Sequence, residues 1–397
     1  MEGEAFKRWL TAKAWTDAAY DPRVRAIAFQ TLLVLALLVL AVEIVLNTAA
    51  NLQKQNIASG FGFLSRTAGF DISQTLIPYS SRSSYGQAFL VGLANTLLVA
   101  ALGIVLATVL GFAIGIARGS PNWLASRLAL AYVELIRNVP LLLQLLVWYV
   151  AVLRALPAPQ EALGIPGGAF VDTRGLHLPR IAIESGGTSL LVALLVSLIG
   201  ALWLWRRDKQ RQEQDETRRD PLVVAGWGAV ALLPVLALLL VDKTITYPTL
   251  GRFNFEGGLS IEPEFLALLI GLSTYTAAFI AEIVRAGLDG VPKGQREAAA
   301  ALGLSRHQAL RLVILPQALR IIIPPLTNQY LNLTKNSSLA VAIGYPDLVS
   351  VFSGTVLNQT GQAVEVILIT MAVYLAISLA TALAMNWFNA RTAWAER

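Results

Sequence analysis

The sequence predicts an all-α, polytopic transmembrane protein of about eight spans. Only 14% of the 397 residues are charged while 55% are hydrophobic, and mean hydropathy is +0.60. A water-soluble domain carries about one quarter charged residues to cover its surface. Eight apolar stretches approach the roughly 20 residues that a helix needs to cross the hydrocarbon core. Barrel-type alternation is absent, and a backbone that must satisfy its own hydrogen bonds in lipid then folds as helix.

The first stretch, 24–46, follows a long charged leader that contains acids, so an uncleaved anchor is expected despite Thr48-Ala49-Ala50 beyond it. The segment 47–87 is rich in Gly, Ser, Asn and Gln and lacks periodicity, which predicts a loop or a loosely ordered cap. Spans 88–116 and 128–153 follow. Pro157, Pro159, Pro166, Gly167 and Gly168 make 154–187 read as another loop. The short stretch 188–205 ends in Trp203 and Trp205, as an interfacial belt would, and the run Arg206-Arg207-Asp208-Lys209-Gln210-Arg211 separates it from 222–241. Spans 265–286, 312–333 and 364–389 complete the set. The seventh is expected to be broken by Pro316, Pro324 and Pro325, each of which removes a backbone donor.

With the N-terminus inside, most of the 31 Lys and Arg fall in cytoplasmic segments, so the positive-inside rule places both termini in the cytoplasm. The net charge of +6 then reflects basic loops facing the lipid bilayer rather than nucleic acid. Zero cysteines exclude a disulfide framework, a thiol nucleophile and a cysteine-ligated metal. The two histidines, His177 and His307, are far apart, so neither a metal nor a cofactor is expected. The sequence has no G-x-x-x-x-G-K-[ST], G-x-S-x-G or H-E-x-x-H. The chain is therefore expected not to be an enzyme, and any ATP-derived energy has to come from a partner.

The most informative segment lies between spans six and seven, on the cytoplasmic side. Gln295 to Leu302 are strong helix formers with mostly small side chains. Gly303 can take positive φ and end that helix. Ser305-Arg306-His307-Gln308 has the S-x-x-Q form of a capping box that starts another. Local chemistry thus predicts helix, turn, helix outside the bilayer, with small side chains suited to close approach by another protein.

The longer pattern, Glu297-Ala298-Ala299, three residues, Gly303, nine residues, then Val313-Ile314-Leu315-Pro316, resembles the EAA loop of binding-protein-dependent ABC importer permeases. Val313 stands where that family usually has isoleucine. Gly92-Leu93-Ala94-Asn95-Thr96-Leu97 through Gly111-Phe112-Ala113-Ile114-Gly115-Ile116-Ala117-Arg118 is similar to the first core span of the polar amino-acid permeases. Tyr132 to Gln144 is similar to their second; Leu315 to Arg320 and Lys335-Asn336-Ser337-Ser338-Leu339 are similar to their fourth. The resemblance implies a five-span permease core with an extra N-terminal span and a two-span insert. It resembles most the longer permease subunit of broad-specificity systems for glutamate, glutamine, aspartate and asparagine. The chain then divides into 1–87 (N-tail, first span and periplasmic loop), 88–153 (first part of the core), 154–261 (insert with its basic cytoplasmic loop) and 262–397 (second part of the core). Glu297, Ala298, Ala299 and Gly303 inherit the ATPase-coupling role. The implied partners are a second permease subunit in a heterodimer, two ATP-binding subunits and a periplasmic amino-acid-binding protein. The implied location is the bacterial cytoplasmic (inner) membrane.

Ionisable groups within a span are costly, so each carries a functional expectation. Glu134 and Arg137 share a helix face and can neutralise each other, or Glu134 can face the substrate path. Gln144, at mid-depth beyond Pro140, offers a donor and an acceptor to the same path. Asn336, Ser337 and Ser338 either line it or cap a helix end. Asn328, Gln329 and Asn332 either line it or bond neighbouring helices. An ion-coupled secondary amino-acid transporter and an ABC importer permease for another small polar solute remain the alternatives.

Overall fold

The computed structural model describes residues 22–54, 59–185, 187–212 and 221–392. Among them five helices are long and apolar enough to cross a membrane, or six when one bent pair counts as a single span. The apolar window of α1 (Pro22–Lys54) is wholly exposed, as a lipid-facing helix would be. α2 (Tyr85–Arg118) opens on a capping box: the Ser84 hydroxyl accepts from the Gln87 N–H, and the Gln87 amide oxygen accepts from the Ser84 N–H.

The third apolar stretch is not one helix. α3 (Trp123–Asn138) and α4 (Leu141–Leu146, continued by a wide π-type turn at Val147–Leu153) meet at 106°. Pro140 causes the break, because it has no N–H to give and it drives Val139 into extended backbone at φ −105°. The interruption expected in the seventh stretch is missing. α10 (Leu315–Asn336) runs unbroken through Pro324 and Pro325, and Pro316 follows directly on a π-type turn (Leu310–Ile314), a local adjustment that accommodates a missing N–H. The freed backbone groups of a spanning helix can be satisfied by neighbouring helices and local adjustment.

α5 (Gly187–Gln212) packs on α6 (Pro221–Leu240). Their apolar stretches, Thr188–Leu204 and Gly226–Leu239, are shorter than the other spans, so eight full-length spans are not seen. α7 (Pro263–Asp289), α8 (Lys293–Ala301), α9 (Arg306–Ala309), α11 (Leu357–Thr360) and α12 (Ala363–Thr392) complete the helices.

The stretch 154–187, expected to be a loop, holds strands. β1 (Leu163–Ile165), β2 (Ala169–Asp172) and β3 (Gly175–Leu178) form an antiparallel sheet that β8 (Leu259–Ile261) closes, with Leu176 opposite Ile261. β4 (Arg180–Ser185) pairs with β5 (Asp242–Thr246), and β6 (Thr249–Leu250) with β7 (Phe255–Glu256). The β3–β8 and β4–β5 pairings stitch the chain entering α5 to the chain leaving α6. Buried His177 fixes the sheet: one ring nitrogen lies 2.9 Å from Ser260 Oγ and the other 3.2 Å from Asp172 Oδ2, over the Phe255 ring.

The central packing is α2 against α7. Gly103, Ala107, Gly111 and Gly115 recur every fourth residue; Gly111 and Gly115 let the two backbones approach closely, while Gly103 faces Leu333 of α10. A Cβ at Gly111 would lie 2.5 Å from Ile280 Cγ2, and one at Gly115 would lie 2.7 Å from Val284 Cβ. Ile280, Val284, Ala318 and Ile322 extend this core to α10.

The segment 344–362, which holds a π-type turn (Val349–Val356) and α11, is tied to the first half of α2. Asn95 Nδ2 donates to the carbonyls of Pro346 and Gln74, each at 2.9 Å, and the Leu348 N–H donates to Thr96 Oγ1 at 3.0 Å. The preceding stretch, expected to be loose, is partly packed: Phe63 is buried against Tyr85 and Phe352. Asp347 is fully buried and accepts from the Ser350 N–H at 2.8 Å and the Tyr374 hydroxyl at 3.3 Å. Burial raises its pKa to about 7, partly offset by the Ser350 and Val349 N–H groups and the Tyr374 hydroxyl. A carboxyl with a raised folded pKa favours the folded loop most below its unfolded value near 3.8, and that contribution is lost as pH rises towards about 7. Hydrogen exchange in 344–362 should therefore be slower at pH 5 than at pH 8 once corrected for the intrinsic rate, and Asp347→Asn should flatten the difference.

Candidate functional site

Between α7 and α10 the chain leaves the spans and returns. Pro292 precedes α8, which ends in a double hydrogen bond: the Gly303 N–H reaches the Ala300 carbonyl at 2.9 Å and the Leu304 N–H reaches the Ala299 carbonyl at 3.1 Å. This is a Schellman cap, and it requires Gly303 at φ +72°. A Cβ on Gly303 would meet nothing within 4 Å, so the glycine serves backbone conformation and not space. The Ser305 capping box forms as the sequence predicts, with Gln308 N–H to Ser305 Oγ at 3.3 Å and Ser305 N–H to Gln308 Oε1 at 2.9 Å. α9 then runs through a π-type turn (Leu310–Ile314) into α10.

Two polar links hold this loop to the spans. Arg296 Nη2 donates to the Leu288 carbonyl at 2.8 Å, and Gln317 Nε2 donates to Gln295 Oε1 at 3.2 Å. Of the four residues expected to couple, Glu297, Ala298 and Gly303 are exposed, whereas Ala299 is buried and seats the helix on its own chain. Leu302, at the tip, is 79% exposed.

Towards the C-terminal ends of α2, α3 and α7, charges converge on Glu282. Its carboxylate pairs with Arg118, accepts from Arg285 Nη2 at 2.7 Å, and lies 3.8 Å from Arg137 Nη1; Arg285 also reaches Asp289 at 2.7 Å. Arg137 additionally lies over the Phe279 ring. The Glu134–Arg137 pairing open to the sequence is thus replaced: Arg137 turns to α7, and Glu134 stays exposed. A partner on another helix cannot be read from spacing within one helix.

The other residues expected on the path separate into two sets. Gln144 is buried, and its Nε2 donates to the carbonyls of Ile136 and Val139 at 2.8 and 2.9 Å, so it satisfies the end of α3 at the 106° bend. Ser337 is buried and donates to the Thr334 carbonyl. Asn336 and Ser338 are half-buried, with Ser338 Oγ donating to the Lys335 carbonyl at 2.7 Å. Arg320, Pro324, Asn328, Asn332 and Lys335, by contrast, are all exposed along one face of α10. Polar groups on a spanning helix are not placed against lipid tails when they can face water or another subunit. Among the described residues no cluster of His, Cys, Asp and Glu could hold a metal ion.

Known proteins share this chain over almost its whole length. It is 49% identical over 396 residues to the general L-amino acid transport system permease protein AapQ of Rhizobium johnstonii, covering 98% of this chain and 97% of that one. It is 50% identical over 379 residues to the putative amino-acid ABC transporter permease protein YhdX of Escherichia coli, covering 95% and 96%. The glutamate/glutamine/aspartate/asparagine transport system permease protein BztB of Rhodobacter capsulatus is 41% identical over 408 residues, covering 95% and 96%. Residues 220–394 match the model of the binding-protein-dependent transport system inner membrane component, a match that takes in the capped loop between α7 and α10. The chain therefore belongs to that family of inner-membrane transport permeases.

Proposed function

We propose that this chain is the permease subunit of an ATP-driven importer of polar amino acids, in the bacterial inner membrane with both termini cytoplasmic. The observation that carries this reading is the rigidly capped loop 294–305, which projects exposed Glu297, Ala298 and Leu302 away from the spans. A docked ATPase that closes on ATP pulls this loop. The links from Gln295 to Gln317 and from Arg296 to the Leu288 carbonyl pass the motion to α10 and α7. The loop has to meet the two ATPase states differently, since equal contacts would shift no equilibrium. Ala299 sets the helix in place and Gly303 fixes the turn. The exposed polar face of α10, with Asn336 and Ser338 at its end, and Glu134 on α3 supply this subunit's half of the path. Gln144 and Ser337 hold the frame around it. A second permease subunit completes the pore, two ATP-binding subunits drive it, and a periplasmic binding protein delivers the amino acid. The segment 154–261 is an insert into a core formed by 88–153 and 262–397, and 1–87 adds the first span. The names of the relatives support glutamate, glutamine, aspartate and asparagine among the substrates.

The test is uptake of labelled glutamate, glutamine, arginine and leucine in cells lacking the gene, with and without the restored wild type. Loss of amino-acid uptake on deletion and its collapse on ATP depletion are expected. Uptake that survives ATP depletion but falls with an uncoupler would identify an ion-coupled carrier instead. An acid in place of Asn336 would hold a cationic side chain on the path. Asn336→Asp should shift the uptake ratio towards arginine by about tenfold, the size of one added charge-assisted hydrogen bond; an unchanged ratio would take Asn336 off the path.

A further inference from the structure

On the outer side, segments far apart in sequence converge on an open cavity of about 640 Å³. Arg154 follows the π-type turn after α4; Thr173 and Arg174 form the β2–β3 turn; Glu262 and Glu264 begin α7; Ser73 comes from the stretch before α2. Gly344, at the end of the turn that follows α10, closes the wall. The cavity therefore opens above α4, α7 and α10, the elements that frame the path.

Its lining has both signs of charge, only partly neutralised. Arg154 Nη2 donates to the Tyr149 hydroxyl at 2.6 Å, and that hydroxyl donates to Glu264 at 2.6 Å. Glu262 is half-buried and, among the described residues, accepts only from Ser73 Oγ, at 3.0 Å. Burial, with Glu264 beside it, pushes the Glu262 pKa upwards against the Ser73 hydrogen bond, so a cation at this carboxylate would relieve a real cost. Arg174 is exposed and makes no ion pair with any described residue. An inorganic anion entering here would be repelled by two carboxylates, and a simple amine by two guanidiniums. A molecule with a carboxylate and an ammonium a few ångströms apart satisfies both.

We infer that this cavity is an outer recognition site for the α-amino-acid zwitterion, with Arg174 and Arg154 taking the carboxylate and Glu262 taking the ammonium. The inference rests on the amino-acid import reading and gives the insert a task in it, because the insert supplies Arg174. A site that reads only the two groups common to all amino acids leaves the side chain unread. A cavity in the size range of small-molecule sites then accepts side chains of different shape.

The complete complex, reconstituted in proteoliposomes with ATP and increasing amounts of glutamine-loaded binding protein, separates the possibilities. Arg174→Gln and Glu262→Gln should each lower the maximal import rate about tenfold, the loss expected for one charged hydrogen-bond partner. The binding-protein concentration for half-maximal rate should not move, and Arg174→Lys should keep most of the rate. A raised half-maximal concentration with an unchanged maximal rate would make these residues protein-docking contacts and overturn the proposal, as would no change in either. A measurement on the wild type needs no variant to fold. Saturation-transfer NMR on the complex in nanodiscs, without binding protein, should detect glutamine but neither its decarboxylated nor its deaminated analogue. Equal signals from either analogue, or none from glutamine, would also overturn it. If wild-type proteoliposomes import no amino acid at all, the import reading itself fails.

Discussion

Gly303→Val should cut import at least about tenfold while leaving a permease that inserts and assembles. At φ +72° a residue with a Cβ pays about 1–2 kcal/mol, and a β-branched one more, because its side chain crowds the backbone. Nothing else opposes the substitution, since a Cβ there meets no atom within 4 Å. The strain is released by opening the Schellman cap, which turns α8 away from the direction that the Gly303 and Leu304 hydrogen bonds fix. Import should fall at least about tenfold, as 1.4 kcal/mol of lost coupling would require. Membrane abundance and the melting temperature of the detergent-solubilised complex should stay near wild type. Gly303→Asn, whose side chain tolerates the left-handed region, should restore much of the rate. Normal import by the valine variant would place coupling elsewhere in the chain.

Gly115→Leu should fail in the opposite way, by loss of the folded protein. The first added carbon would lie 2.7 Å from Val284 Cβ and 2.8 Å from the Ala281 carbonyl oxygen, so α2 and α7 have to separate. Overpacking of this kind costs about 3 kcal/mol or more when backbone stands in the way. Membrane levels should drop sharply, and whatever can be extracted should melt well below wild type. Gly119→Ala, four residues on, meets only the Ile116 carbonyl at 3.7 Å and should cost little. Equal melting temperatures for Gly115→Leu and Gly119→Ala would mean that the close approach of α2 and α7 is not what holds the core.

The loop between α7 and α10 was legible in the sequence because its determinants are local. A capping box, a run of helix formers and a turn glycine each act within a few residues. Long apolar stretches were legible for a similar reason, since crossing lipid is a matter of length and composition. Bends were not: an apolar stretch reads on through Pro140, and whether a proline breaks a helix depends on what packs around it. Pro140 breaks one; Pro324 and Pro325 do not. The strands at 163–185 and 242–261 were hidden by their shortness and by the glycines and prolines between them, and β8 pairs with a strand on the far side of two helices. Asn95 and Thr96 illustrate the same limit. Their place in a motif was visible, but their physical task is to bond the Pro346 carbonyl and the Leu348 N–H, about 250 residues away. Gln144 illustrates it too: the sequence showed a polar side chain beyond Pro140, but not that its Nε2 would bond the Ile136 and Val139 carbonyls at a bend.

The polar face of α10 also bears on how the protein is made. Of the five long spans among the described residues it is the least apolar, and it carries Arg320, Asn328, Asn332 and Lys335 exposed, with no described residue covering them. Such a segment partitions poorly into lipid by itself. During synthesis it follows α7, whose Ile280 and Val284 meet Ala318 and Ile322 on its opposite side. α10 therefore enters the bilayer as the second member of a pair, held by α7 at the insertion site until its exposed face finds water or another subunit. Weakening the α7 contact would leave α10 stranded outside the membrane, and the nascent chain would be marked for degradation before any transport could be measured.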